Sequence, residues 1–113
     1  MREQELQQLL AKARLQPETN VKHARLYRAV KHITDVGSVF YVLWETPGQQ
    51  EDYFSILVDD KAVVDFALQR HDPEALPEEV EQYSIEEYRK SGDEVTRAKL
   101  RIALELARRD LGR

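Results

Sequence analysis

The sequence predicts an α+β domain in which helices from both ends of the chain cover an antiparallel β-meander. Two patterns predict this class: apolar residues recur at helical spacing near both termini, and they alternate with polar residues through the centre. The length of 113 residues suits a single domain. We expect a helical segment over 1–37, a meander over 38–70, an acidic loop over 71–83 and a helical segment over 84–111. The meander is expected to have three strands, with a four-stranded sheet as the alternative.

The N-terminal segment contains one clear helix and one ambiguous element. An apolar face at the spacing i, i+3, i+4, i+7 predicts an amphipathic helix over 2–16, which Pro17 ends. This face consists of Leu6, Leu9, Leu10 and Ala13. Over 20–34, apolar residues recur about every three positions, which favours a second helix. A β-strand that turns back through 35–38 is the alternative.

Three short segments in the centre have the composition of strands. Residues 39–44 are apolar on both faces, as in a strand that is buried from both sides. Pro47 followed by Gly48 predicts a tight turn, and residues 53–58 and 64–68 alternate apolar with polar side chains. The short connections predict an antiparallel meander. We expect the first strand to be central or covered, because an exposed apolar edge strand would aggregate.

The alternation also predicts which side chains share a face of the sheet. The helices are expected to cover the face that carries the even-numbered residues of 39–44, including Trp44. The opposite face carries Tyr41, Leu43 and Tyr53. That face needs a cover too, since apolar surface beyond a few hundred Å² seldom stays exposed. We expect a second copy of the chain to cover it in a two-fold dimer, with the acidic loop as the alternative.

The C-terminal segment is predicted to begin with a short helix and to end with a long one. Two X-Pro pairs and few apolar residues predict a loop before it. Ser84 followed by Glu87 is the sequence of a capping box. We expect Gly92 to interrupt the helix that starts there, and the last helix to extend from Asp93 to about Leu111.

Charge is distributed unevenly, although the formal net charge of the chain is only −4. Residues 1–37 carry 7 basic and 4 acidic groups, residues 38–88 carry 2 and 13, and residues 89–113 carry 8 and 4. The net charges of the three segments are therefore +3, −11 and +4. Basic helices beside the acidic centre would neutralise it internally, through surface ion pairs of about 0–1 kcal/mol each. The alternative is a negative surface that attracts a basic partner.

The leading functional hypothesis is a small protein-binding module for a basic protein partner, of the inhibitor, immunity or antitoxin type. Complementary electric fields raise the association rate of such pairs. The residues expected to bind the partner are Glu78, Glu79, Glu81 and Asp65, with Tyr53 as an apolar anchor among the acids.

Two other function classes are weighed against this hypothesis. Arg97, Arg101 and Arg108 share one face of the last helix and could contact phosphates in a dimeric nucleic-acid-associated regulator. The sequence pI near 5.4 disfavours a nucleic-acid partner. The other alternative is a small-molecule-binding or enzymatic domain, with a pocket between sheet and helix near Trp44 and His32.

The sequence carries no local signature of catalysis, of a metal or of a cofactor. His23, His32 and His71 are not spaced as ligands of one metal ion, and no glycine-rich phosphate loop is present. We therefore predict no catalytic residue, no metal and no cofactor, and favour binding over enzymatic activity. The chain has no cysteine and no apolar run of signal-peptide or membrane-spanning length. We expect a cytoplasmic protein without a membrane partner.

Overall fold

The sheet has four strands, which are all antiparallel and arranged in chain order. They are β1 (Phe40–Pro47), β2 (Glu51–Val58), β3 (Ala62–Gln69) and β4 (Glu78–Ser84). The structure is a computed structural model, and it describes residues 2–113. The α+β prediction is confirmed, and the sheet is the four-stranded alternative to the predicted three strands.

Four helices accompany the sheet, and side-chain caps fix where three of them begin. They are α1 (Glu3–Ala11), α2 (Val21–Ile33), α3 (Ile85–Ser91) and α4 (Glu94–Asp110). Asn20 Oδ1 accepts the backbone N–H of His23 at 2.8 Å, so the segment over 20–34 is the favoured helix. Ser84 and Glu87 form the predicted capping box, and Asp93 caps α4. None of the described helices combines the length and apolar composition needed to cross a bilayer.

The two faces of the sheet are covered by different helices. α2 packs on one face, here termed the α2 face, whose buried side chains include Phe40, Phe54, Ile56, Val58, Val64, Phe66 and Leu68. α1 and α4 pack on the other face, the α4 face, over Tyr41, Leu43, Leu57 and Val63. Burying a side chain of this size stabilises the fold by about 1.5–3 kcal/mol. Helices therefore hold the sheet from both sides.

Two predictions about the faces are wrong. A β-bulge between Val42 and Trp44 adds Leu43 to β1, so that Trp44 lies on the same face as Tyr41. Strict alternation along the sequence could not reveal the extra residue. The face of Tyr41 and Leu43, for which a second copy of the chain was expected as the cover, is covered by α1 and α4. The uncovered face that favoured a homodimer is therefore absent from residues 2–113, and the dimer stays a prediction without that support.

The acidic loop predicted over 71–83 is only partly a loop. Its last six residues pair with β3 and form most of β4. Nearly all of β4 is exposed, so its sequence lacks the apolar alternation that marks a half-buried strand. The true loop covers 70–77, where Arg25 and Arg28 of α2 donate to the backbone carbonyl oxygens of Asp72 and Pro73.

The two edges of the sheet differ. Residues 13–15 cover the outer edge of β1: the Leu15 N–H donates to the Phe40 carbonyl oxygen at 2.9 Å, and the Val42 N–H donates to that of Ala13 at 3.0 Å. The predicted cover for the first strand is provided in this way. The outer edge of β4 is open, since in the described chain its backbone groups bond to no backbone outside the sheet.

Candidate functional site

The α4 face carries an open groove beyond the N-terminal end of α4. Trp44 marks the boundary, because its indole Nε1 donates to Thr96 Oγ1 in the first turn of α4 at 3.2 Å. Past this contact, the strands leave a groove of about 380 Å³. We term it the acidic groove. Its lining consists of Trp44, Thr46, Tyr53, Phe54, Ser55, Asp65, Phe66, Glu79, Glu81 and Tyr83.

Asp65 is the half-buried carboxylate of the acidic groove. β2 and β3 place Ser55 directly opposite it, and the Ser55 hydroxyl donates to Asp65 Oδ1 at 2.6 Å. Burial raises the pKa of the Asp65 carboxyl against the effect of this hydrogen bond, and Glu81 on β4 adds to the rise. Desolvation and repulsion both oppose the ionised form. The attraction of a cation placed beside Asp65 would offset both effects.

Two tyrosines line the groove and are hydrogen-bonded to carboxylates. The Tyr53 hydroxyl donates to Glu51 Oε1 at 2.6 Å, and the Tyr83 hydroxyl donates to Glu81. These hydrogen bonds raise the pKa of each phenol to about 12. Both tyrosines therefore stay neutral at physiological pH. Their rings provide apolar surface between the acids, on which the stem of a long basic side chain can pack.

A second bulge shapes the outer wall of the groove. The pairing of β3 with β4 shifts register between Asp65 and Ala67, and Glu79 has a φ of 53°, in the left-handed region. This conformation is uncommon for residues other than glycine, and bulges redirect side chains. Glu79 joins Glu81 in the lining. Glu78 lies outside the lining, where its Oε1 accepts a hydrogen bond from a side-chain amide of β3 at 3.4 Å.

The groove carboxylates differ from three partly buried aspartates elsewhere in the molecule. The side chains of Asp52, Asp60 and Asp110 are 13–21% exposed, and each lies within 4.0 Å of an arginine nitrogen. Within residues 2–113, the three carboxylates of the acidic groove make no ion pair with a basic side chain, and no basic residue is in the lining. The groove is therefore a negative surface that the described chain does not neutralise.

The structure brings together four of the five residues predicted to bind a partner. The acidic groove contains Tyr53, Asp65, Glu79 and Glu81, and Glu78 lies next to it. The prediction missed Thr46, Ser55 and Tyr83. Recognition of β4 in the sequence would have identified Tyr83. Residues two apart in a strand point to the same face, which places Tyr83 on the face of Glu81. Ser55 is a polar residue between the buried apolar residues Phe54 and Ile56, so the sequence places it on the other face of β2.

The three arginines of the alternative nucleic-acid face are engaged within the chain. Arg101 pairs with Glu3 at 2.7 Å, and Arg108 lies 3.7 Å from Asp60. Arg97 donates to a backbone carbonyl oxygen at 3.2 Å. All three side chains face carboxylates or carbonyls of their own chain, and nothing in this arrangement favours a phosphate ligand.

Trp44 and His32, named for the alternative pocket, lie on opposite sides of the sheet. The Lys99 ammonium sits 3.4 Å from the centroid of the Trp44 ring, on the α4 face. His32 belongs to α2 and lines a different groove together with the 74–77 loop. The sheet separates the two side chains, so they do not form one pocket.

The chemistry of the acidic groove suits an extended cationic ligand. Within residues 2–113, no three histidine, aspartate or glutamate side chains converge on a point suited to a metal ion. The carboxylates of the acidic groove are instead distributed along strands, with tyrosine rings between them. Comparison with protein-family models, with curated proteins and with solved structures finds no match to this chain.

Proposed function

We propose that the chain is a small protein-binding module that recognises a basic protein partner through the acidic groove, as an inhibitor, immunity protein or antitoxin would. The observation that carries the proposal is Asp65, a half-buried carboxylate beside Glu81, with no basic residue in the groove lining. We place the module in the cytoplasm, because a chain without cysteine fits a reducing compartment.

This arrangement of Asp65 has an energetic cost. An ionised carboxylate that is partly removed from water and lacks a counter-charge destabilises the fold. Asp52 and Asp60 obtain arginine partners from the same fold, so the missing partner at Asp65 is not a limitation of the scaffold. A lysine or arginine from another protein would supply it, and a carboxylate in a cleft whose pKa is raised by burial and by a second acid is a candidate for a functional site.

The aromatic residues add to this recognition. Tyr53 and Tyr83 stand among the acids with their hydroxyl groups already hydrogen-bonded. Tyrosine and arginine are the side chains most often found at the energetic centre of interfaces. An arginine or lysine stem packed on these rings brings its charge to the carboxylates, which gives both affinity and selectivity for basic partners.

The experiment compares three immobilised forms of the protein as baits in nuclease-treated extract of the source organism. They are the wild type, the groove variant Glu79→Gln/Glu81→Gln and the control Glu5→Gln/Glu18→Gln, whose two exposed glutamates lie far from β4 in the chain. The salt concentration is about 0.15 M, where charges more than about 8 Å apart are screened. Bound proteins are identified by mass spectrometry, purified and titrated by calorimetry.

We expect one basic protein to bind the wild type and the control at equal stoichiometry. The groove variant should bind it at least about tenfold more weakly, a loss of roughly 1.4 kcal/mol. Equal weakening of the control would show that net charge alone matters and would contradict the proposal. Nucleic acid captured from an untreated extract, with no protein, would favour the arginine face instead.

A further inference from the structure

We propose that the outer edge of β4 accepts an extended, basic segment of the partner as a fifth strand of the sheet. Every second side chain of that segment would then lie beside the acidic groove. This inference rests on the proposed function, and it adds the conformation of the bound segment and the edge that holds it.

The first step is the open backbone of β4. This strand has seven residues, Glu78–Ser84, and pairs with β3 on one side only. In the regular part of β4 after the bulge, Glu81–Ser84, every second residue directs its N–H and C=O away from β3. Within residues 2–113, no other backbone segment takes up these groups. Such an edge is a template for a strand from another chain.

The second step is the contrast with the other edge of the sheet. Residues 13–15 bond to β1 and close its edge, through the Leu15 and Val42 N–H groups. β4 has no comparable cover, and Val80 in its middle is 42% exposed. An exposed apolar side chain can form a cross-strand contact with an added strand. One edge is closed by the chain itself, and the other is available.

The charge of β4 determines which kind of strand can pair with its open edge. β4 carries Glu78, Glu79 and Glu81 and no basic residue. Antiparallel pairing of β4 with the whole of β4 in a second copy would place Glu81 opposite Glu81, and like charges directly opposite each other destabilise a sheet. A segment with lysine or arginine at alternate positions reverses the sign of that interaction. The same glutamates that oppose self-pairing therefore select a basic strand.

Long basic side chains of a fifth strand would reach the acidic groove. Neighbouring strands lie about 4.8 Å apart, so a fifth strand would lie about 10 Å from β3. Its side chains on the α4 face would stand next to Glu81 and Tyr83, which belong to the groove lining. A lysine or arginine side chain is long enough to extend across β4 toward Asp65. Strand pairing and the acidic groove thus act on one bound segment.

The test uses a synthetic heptapeptide of alternating lysine and valine, acetylated and amidated at its ends, as the probe. Two isomers are N-methylated on all lysines or on all valines. They keep the side chains and charges but lose the N–H groups of one edge of the peptide. Binding to the full-length protein is measured by NMR titration at about 0.15 M salt, with amide hydrogen exchange as a second readout.

We expect the unmethylated peptide to bind and to slow exchange at alternate amides of β4. One methylated isomer should lose at least about tenfold in affinity, and the other should stay within about twofold, because only one set of N–H groups faces β4. No binding, or equal affinity of the two isomers, would overturn strand addition.

The glutamate variants separate this inference from the proposed function. Weakening by Glu79→Gln/Glu81→Gln but not by Glu5→Gln/Glu18→Gln, with both methylated isomers equal, would support the acidic groove and overturn strand addition. A difference between the isomers that is insensitive to both variants would support edge pairing and overturn recognition by charge. Sensitivity to both changes supports the two together.

Discussion

The two faces of the sheet shift the pKa of an aspartate in opposite directions. On the α2 face, Asp52 Oδ1 accepts a hydrogen bond from Arg70 Nη2 at 2.7 Å, which lowers the pKa of the carboxyl. On the α4 face, Asp65 receives a hydroxyl from Ser55 and no arginine, and burial raises its pKa. The fold stabilises one charge and leaves the other exposed to whatever enters the acidic groove.

The same difference runs along β2. Its apolar residues on the α2 face, Phe54, Ile56 and Val58, are all buried. On the α4 face, only Leu57 is buried under helix, whereas Ser55 is partly exposed and Tyr53 is exposed. β2 therefore contributes buried apolar residues to the core on the α2 face, whereas on the α4 face it contributes partly to the core and partly to the acidic groove. Polar residues at core positions of a strand mark where the helical cover ends.

The largest expected effect separates core from groove on neighbouring residues of β2. Ile56→Ala should lower the free energy of unfolding by about 2–5 kcal/mol, because it leaves a cavity in a fully buried site. Ser55→Ala removes one hydrogen bond to a carboxylate that water can reach, and should cost about 1 kcal/mol or less. Urea denaturation of both variants measures the difference. Equal losses would mean that the groove belongs to the core, which would contradict the difference between the two faces of β2.

How far the sequence predicts this molecule depends on burial. α1, α4 and the three central strands were predictable, because their apolar residues show helical spacing, alternation or a continuous run, although α1 ends at Ala11 and not at Pro17. The capping box at Ser84 is a local sequence motif. β4 was not predictable, because a strand exposed on both sides has no such pattern. The bulge at Leu43 and the packing of α2 depend on contacts between distant segments, which local spacing does not encode.

The candidate site was predicted by charge and not by geometry. The concentration of carboxylates between 38 and 88 indicated a negative surface, and Tyr53 was identified as an aromatic residue among them. Asp65 and Glu81 lie opposite each other on β3 and β4, and this position could be predicted only with the register of β4. The arginines that neutralise Asp52 and Asp60 lie far from them in sequence, so the sequence could not show which acids stay unpaired.

An intermediate effect is expected from the arginine on the α2 face. Arg70→Ala should lower stability by about 1 kcal/mol at pH 7, because it removes an ion pair and a hydrogen bond to the Gly48 carbonyl oxygen at 2.7 Å. The folded pKa of Asp52 is depressed, so its share of stability is present above the unfolded pKa near 4 and is lost as pH falls through the folded pKa. Thermal unfolding from pH 7 to pH 2 measures this share.

Asp52→Asn distinguishes the two contacts of Arg70. If the carboxylate carries the effect, Asp52→Asn should reproduce most of the loss of stability. In both variants, the loss relative to the wild type should then become smaller as the pH falls. A loss in Arg70→Ala that does not change with pH would instead assign the effect to the carbonyl contact, and would weaken the contrast between the two aspartates.

The smallest expected effect has the opposite sign. Asp65→Asn should raise stability at pH 7 by about 0.5 kcal/mol, because it removes a desolvated charge beside Glu81 and keeps an oxygen to accept the Ser55 hydroxyl. The folded pKa of Asp65 is raised, so the wild type is most stable, in this respect, below the unfolded pKa near 3.9 and loses stability as pH rises through the folded pKa. The gain from Asp65→Asn should therefore be full at pH 7 and vanish below about pH 4.

The same substitution is therefore expected to have opposite consequences on the two faces, with Asp52→Asn destabilising the protein and Asp65→Asn stabilising it. Calorimetric unfolding of both variants at pH 7 and pH 4 tests the pair directly. A stabilised Asp65→Asn protein that binds the basic partner more weakly would show that the acidic groove retains its charge for binding and at a cost in stability. A destabilised Asp65→Asn protein would mean that the carboxylate is held by structural contacts, and the acidic groove would lose its strongest support as a binding site.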